Sequence, residues 1–65
     1  MKLSLDNLLL RISHDQVIEI DHYATLETIF RGEAGEVYYE GRDWSKYEVD
    51  EVYVATFGVL RIKVR

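Results

Sequence analysis

The chain of 65 residues contains no cysteine and no proline. Without cysteine the protein can form no disulfide, and it has no thiolate with which to ligate a metal or attack a substrate. Average usage of about 5% would give about three prolines, so their absence indicates a compact chain without a proline-rich linker. Long hydrophobic runs are also missing, since none approaches the roughly 18 residues that span a bilayer.

The length predicts one small domain over residues 1–65, and the 48% hydrophobic content is ordinary for a globular protein. A chain of this size buries only about 60% of the surface that its unfolded form exposes. Small domains without disulfides often gain stability from a partner subunit. We therefore expect a homodimer, which would bury Leu10, Phe57 and Val59. The apolar run at residues 8–10 is too short for a signal peptide, so we expect a cytoplasmic protein.

The net charge of −4 is unevenly distributed along the chain. Residues 33–51 carry seven acidic side chains against two basic ones, whereas the last five residues carry three cations and no acid. An acidic protein repels phosphate backbones at long range, which disfavours general nucleic-acid binding. Only the C-terminal end retains the charge that a nucleic-acid contact needs.

The clearest pattern is at this C-terminal end, where apolar and polar residues alternate. Leu60, Ile62 and Val64 alternate with Arg61 and Lys63, and Val52 and Val54 repeat the period of two upstream. This alternation indicates half-buried strands, over residues 50–55 and 59–65. Gly58 lies between them and can adopt the positive φ that a tight turn often requires. The two strands are predicted to form a hairpin.

The N-terminal third is predicted to form a helix and a second hairpin. Leu5, Leu8, Leu9 and Ile12 have the spacing of one helical face over residues 4–12, and Ser4 is a suitable N-cap. Strands are predicted at residues 16–21 and 25–31, with a bulge near Thr28. We expect an α+β fold in which a short N-terminal helix packs on a four-stranded, mainly antiparallel sheet of two hairpins. The predicted core positions of the N-terminal hairpin are Ile18 and Ile20 on one strand and Leu26 and Phe30 on the other.

Residues 38–51, here called the aromatic segment, combine aromatic rings with acids. Aromatic residues are enriched at protein interfaces, and acids around them favour a basic partner. The alternative is that Trp44 and one or two tyrosines complete the core, with Asp43 capping a single helical turn. The predicted partner-binding residues are Tyr38, Tyr39, Glu40, Asp43, Trp44, Tyr47, Asp50 and Glu51.

Several patterns that resemble chemical sites are better explained as turns. Residues 13–15 (Ser-His-Asp) include the residue types of a catalytic triad, but adjacent side chains diverge. His14 and His22 lie at opposite ends of a strand of roughly 13 Å, too far apart to share one ion. Gly32 and Gly35 have the spacing of a KH-domain loop, but Glu33 between them would repel phosphates. We expect no catalytic site, metal or cofactor, and thus no enzyme.

A second candidate surface is the cationic face of the last strand. Arg61, Lys63 and Arg65 could follow a phosphate backbone, which would make the protein a nucleic-acid-binding homodimer. The alternative is a solvated strand face whose cations pair with Glu51 or Glu19.

Three stretches of the sequence resemble short proteins encoded by phages and prophages of gut bacteria. They are Met1-Lys2-Leu3-Ser4 with Leu8-Leu9, the run at residues 30–37, and the run at residues 58–64. The resemblance implies a bacterial host cell and a protein that acts by binding a host protein, as anti-CRISPR inhibitors do. Our leading hypothesis is therefore a non-enzymatic protein-binding module, an inhibitor of a host defence nuclease.

Overall fold

The computed structural model describes residues 3–65 and shows a short helix on one face of a four-stranded sheet. Met1 and Lys2, the first two residues of the phage-like pattern, lie outside the described residues. The helix and strands are α1 (Leu5–Leu9), β1 (Val17–His22), β2 (Thr28–Glu33), β3 (Val49–Val54) and β4 (Leu60–Val64). Three short 3₁₀ helices connect them: η1 (Ala34–Tyr39), η2 (Trp44–Lys46) and η3 (Thr56–Gly58).

The α+β class and the two hairpins are confirmed, but the sheet is mixed rather than mainly antiparallel. Its order is β2-β1-β4-β3, and the central strands β1 and β4 run parallel. The connection through η1 and η2 carries the chain across the sheet, so that β4 enters beside β1 in the same direction. These two strands carry aliphatic residues that are fully buried at the centre of the sheet: Ile18, Ile20, Ile62 and Val64.

Helix α1 is shorter than the predicted span of residues 4–12, but its buried face is as expected. Leu5 and Leu9 are buried, and Leu8 and Ile12 pack against the same core. After Leu9 the backbone forms a tighter, 3₁₀-type turn, in which the amide of Ile12 donates to the Leu9 carbonyl three residues back, at 3.2 Å. Ser4 occupies the N-cap position, where its Oγ accepts from Asn7 Nδ2 rather than from the backbone.

The N-terminal hairpin has the predicted bulge, but its second strand begins later than expected. Ile20 pairs with Phe30 and Asp21 pairs with Thr28, which leaves Ile29 as the extra residue. The assignment of Leu26 to the core is wrong. Leu26 lies in the connecting turn with φ of 60° and is exposed, because the His22 amide closes this turn by donating to the Glu27 carbonyl.

The C-terminal hairpin closes through the turn that Gly58 was expected to allow. Gly58 has φ of 74°, and the Ala55 amide donates to the Val59 carbonyl at 2.7 Å. Phe57, also at positive φ, is almost wholly exposed at the tip. Of the three residues expected at a dimer interface, Phe57 and Leu10 are exposed and Val59 is half-buried.

Candidate functional site

The first two residues of the aromatic segment are the last two of η1, which is fixed to the core. Ala34 and Val37 are buried on the inner side of η1, whereas Tyr38 and Tyr39 are exposed at its end. Glu33 and Glu36 form a reciprocal capping box at the start of η1, in which the Glu36 carboxylate accepts from the Glu33 amide at 3.3 Å. The two tyrosines are therefore presented by a short helix that is held at its start and along its inner face.

Trp44 fixes the middle of the segment. It is only 7% exposed, its Nε1–H donates to the Val37 carbonyl at 3.0 Å, and its ring meets Phe30 edge-on at 6.0 Å. Asp43 caps η2 by accepting from the Ser45 amide, as expected, and the hydrogen bonds from Ser45 lower the pKa of Asp43. Trp44 is thus a core residue that ties η2 to η1.

The segment presents two tyrosines to solvent rather than four aromatic rings. Tyr39 is 91% exposed, and the Tyr38 ring lies 5.5 Å from that of His14. Tyr47 is half-buried beside Trp44, with ring centroids 6.0 Å apart. Glu40 and Asp43 are exposed on the same segment.

Asp50 and Glu51 lie on β3 and contact Arg65, directly after β4, and Lys63 of β4, so the eight predicted partner-binding residues do not form one group of contacts. Asp50 Oδ1 accepts from Arg65 Nε at 2.9 Å and from Arg65 Nη2 at 2.7 Å. Glu51 pairs with Lys63 at 3.6 Å. The acids at the end of the segment therefore neutralise cations of the sheet.

The cations proposed for nucleic-acid binding are each paired with a carboxylate. Besides the two pairs on β3, Arg61 Nε lies 3.0 Å from Glu19. A hydrogen bond with Tyr53, together with Glu19, raises the pKa of Arg61, and Asp50 raises that of Arg65. Phosphate binding would have to compete with these pairs, so the pairing favours a solvated strand face over a nucleic-acid groove.

These pairs belong to the open face of the sheet, the side opposite α1. In register across the four strands, Arg31 of β2, Glu19 of β1, Arg61 of β4 and Tyr53 of β3 form one row. Glu19 contacts Arg61 and, at 3.7 Å, Arg31. The adjacent row consists of Thr28, Asp21, Lys63 and Glu51.

The open face contains two buried carboxyl groups, which the sequence analysis did not select as site residues. Glu19 and Asp21 are each only 7% exposed, covered by the long side chains around them. Burial, a side-chain hydrogen bond with Asp21 and the charge of Asp21 raise the pKa of Glu19, against the lowering effects of Arg61 and Arg31. The signal that could have found them is the alternation of isoleucine with acidic residues in β1. Because β1 is a central strand of the sheet, residues on both of its faces are expected to be buried.

Two shallow depressions lie beside the row that contains Glu19. One, of about 510 Å³, lies toward the η3 turn and is lined by Arg31, Phe57 and Val59 among others. The other, of about 340 Å³, lies over Asp21 and is lined also by Leu26, Thr28 and Tyr53. Glu19, Tyr53 and Arg61 line both.

Neither a metal cluster nor a membrane-spanning helix is found within residues 3–65. No three His, Asp or Glu side chains in this range come together in a way that could hold a metal ion. None of its helices has the length and hydrophobicity needed to cross a membrane.

Comparison with known proteins gives no relative from which a function could be transferred. No protein-family model, curated protein or solved structure matches this chain.

Proposed function

We propose that this protein is a non-enzymatic module that binds a protein partner through Tyr38 and Tyr39. The observation that carries the proposal is the 91% exposure of Tyr39, the last residue of a helix whose inner face is buried. A large ring held in solvent contributes little to folding, but it supplies contact area at a small entropic loss when a partner covers it.

The surroundings of the two tyrosines suit a protein interface. Val37 is buried and accepts the hydrogen bond from Trp44, so the backbone just before Tyr38 is held from two sides. A presenting element that is already ordered loses less entropy on binding than a mobile loop would. Tyrosine at a rigid position is typical of residues that dominate binding energy.

The acidic character of the segment favours a basic partner. Glu36 and Glu40 flank the tyrosines in sequence and are exposed, and Asp43 follows. Complementary charge accelerates association and excludes acidic partners. The nucleic-acid groove of a nuclease is a basic surface of this kind, so the specific form of the proposal is an inhibitor of a host defence nuclease, in agreement with the phage-like sequence pattern.

Substitution of Tyr39 tests the proposal. The protein is used to isolate a partner from a bacterial host lysate, and affinity for the purified partner is then measured by calorimetry. Tyr39→Ala should weaken binding by more than about tenfold, the scale of an interface hot spot. Its melting temperature should stay close to that of the wild type, because the ring contributes little to the core.

Tyr23→Ala is the matched control, since Tyr23 is a partly exposed tyrosine in the β1–β2 turn. It should leave affinity unchanged. Equal affinity of the wild type and the Tyr39→Ala variant for every partner recovered would contradict the proposal.

A further inference from the structure

Asp21 is a buried carboxyl group with an unused acceptor. It is 93% buried on the open face; its carboxyl group shares a hydrogen bond with that of Glu19, but its Oδ1 atom is inaccessible to solvent and has no donor among residues 3–65. A buried acceptor without a donor destabilises the folded protein, and more so when it is charged. The site therefore favours a ligand that brings a hydrogen-bond donor.

The cation nearest in register to Asp21 is engaged elsewhere. Lys63 lies directly opposite Asp21 on the parallel neighbour strand, but its ammonium group pairs with Glu51 at 3.6 Å and lies 5.7 Å from the Tyr53 ring centre. Glu19, by contrast, has two guanidinium groups, those of Arg61 and Arg31. Within residues 3–65, Glu19 forms ion pairs and Asp21 forms none, although the charge of Asp21 also acts on Arg61.

The depression over Asp21 has the shape and lining for a small amphipathic group. Its volume is about 340 Å³, and Leu26 and Tyr53 supply apolar walls while Thr28 supplies a hydroxyl group. An aromatic wall also attracts a cation that approaches its face. These walls suit an alkyl chain, and the carboxylate suits a charged group at its end.

The geometry points to a second binding site on the open face, in which Asp21 receives a primary ammonium or guanidinium group carried on an alkyl chain. This chemistry is that of a lysine or arginine side chain, and also that of a free alkylamine. The site is separate from Tyr38 and Tyr39 and does not depend on the function proposed for them.

An anion is disfavoured at this site, because the unused atom is an acceptor and the cations lining the depression already have carboxylate partners. Across the two rows, Glu19, Asp21 and Glu51 balance Arg31, Arg61 and Lys63 in charge. Long-range attraction for a cation is therefore small. We expect dissociation constants of about 1–10 mM for isolated side-chain analogues.

An NMR titration of the full chain at constant ionic strength tests the site. The probes are n-butylamine, Nα-acetyl-lysine amide and Nα-acetyl-arginine amide, with uncharged Nα-acetyl-norleucine amide as the control ligand. Saturable shifts at the amides of Asp21, Leu26 and Thr28 with a cationic probe, and none with the norleucine derivative, support the site. Saturation by butylamine alone identifies a free-amine site, and saturation by the amino-acid amides identifies a site for a protein side chain.

Three variants separate a ligand-binding role of Asp21 from a structural one. Asp21→Asn should weaken binding by about tenfold or more, since a charge-assisted hydrogen bond is lost. Asp15→Asn removes an equal charge from an exposed turn and should leave binding unchanged. Lys63→Gln removes a positive charge that lines the depression and repels a cationic ligand, so it should tighten binding, a gain that a purely structural role of Asp21 would not produce. The site is refuted if no cationic probe saturates, or if Asp21→Asn binds as well as the wild type.

Discussion

The two faces of the sheet are built from alternate residues of the same strands, yet they are buried in different ways. On the covered face, Ile18, Ile20, Ile62 and Val64 are completely buried beneath α1, η1 and Trp44. On the open face, Glu19 and Asp21 are almost as well buried, but only by the side chains of neighbouring strands. One face is covered by a second layer of structure, and the other is covered by its own long polar residues.

This difference shows which face of the sheet stabilises the fold and which face retains an unsatisfied polar group. Apolar burial stabilises without requiring a partner of defined geometry, whereas a buried carboxyl group needs a donor or a cation to offset its desolvation. Within residues 3–65, Glu19 has such partners, whereas Asp21 Oδ1 has no donor. The covered face therefore accounts for folding, and the open face carries the unsatisfied group that a ligand can use.

Truncation of a central residue of the covered face should have the largest effect. Ile62→Ala is expected to lower the free energy of unfolding by about 2–4 kcal/mol, since it leaves a cavity in a tightly packed core. Urea denaturation measures this change. Val54→Ala is the matched control, because Val54 belongs to the same sheet face but is 72% exposed beyond the helix. A loss below about 0.5 kcal/mol for Ile62→Ala would show that the covered face is not the core.

The stability of the protein should depend on pH through Glu19 of the open face. The pKa of Glu19 is raised from 4.5 in the folded protein, so the folded state holds its proton more tightly than the unfolded state does. The stability contributed by this group is fully present below the unfolded pKa and is lost as the pH rises through the folded pKa. The wild type should therefore lose stability relative to the Glu19→Gln variant as the pH rises above 4.5.

The measurement is the difference in the free energy of unfolding between wild type and Glu19→Gln, taken at a series of pH values. Subtraction of the two profiles cancels the contributions of acids that do not interact with Glu19; Asp21 does interact with it, so the difference reports on the two groups together. A difference that rises with pH would mean that the ion pairs with Arg61 and Arg31 outweigh burial, contrary to the expected direction.

The smallest effect is expected one residue from Ile62, on the opposite face. Lys63→Gln removes the pair with Glu51, which is partly exposed, and should change stability by less than about 1 kcal/mol. Urea denaturation at low and high salt measures the change and its screening. A loss in the free energy of unfolding as large as that of Ile62→Ala would show that the open face stabilises the fold as much as the covered face does.

Much of the covered face could be predicted from sequence. The period of two in β1 and β4 identified Ile18, Ile20, Ile62 and Val64, and the helical spacing identified the buried leucines of α1. Local chemistry also predicted the Asp43 cap and the bulge near Thr28. Leu26 was misplaced, because an apolar residue next to a strand pattern is indistinguishable from a strand residue until the turn geometry is known.

The candidate sites could be predicted only in part. The composition of the aromatic segment indicated that some of its rings lie exposed, and Tyr38 and Tyr39 do. It left open whether Trp44 binds a partner or completes the core, and the structure places Trp44 in the core, where it donates a hydrogen bond to Val37, seven residues away. Asp21 was predicted as the last residue of a strand, and nothing local marks it as a residue with an unused acceptor.

By itself, the sequence determined which residues alternate, where the turns lie and which side chains seek burial, because these properties depend on neighbours within a few positions. Only the tertiary structure decided that β4 runs parallel to β1, that Glu19 lies between Arg31 and Arg61, and that Lys63 pairs with Glu51 instead of Asp21. The physical reason is that strand order and register bring together residues far apart in the chain, and local periodicity is the same for every such arrangement.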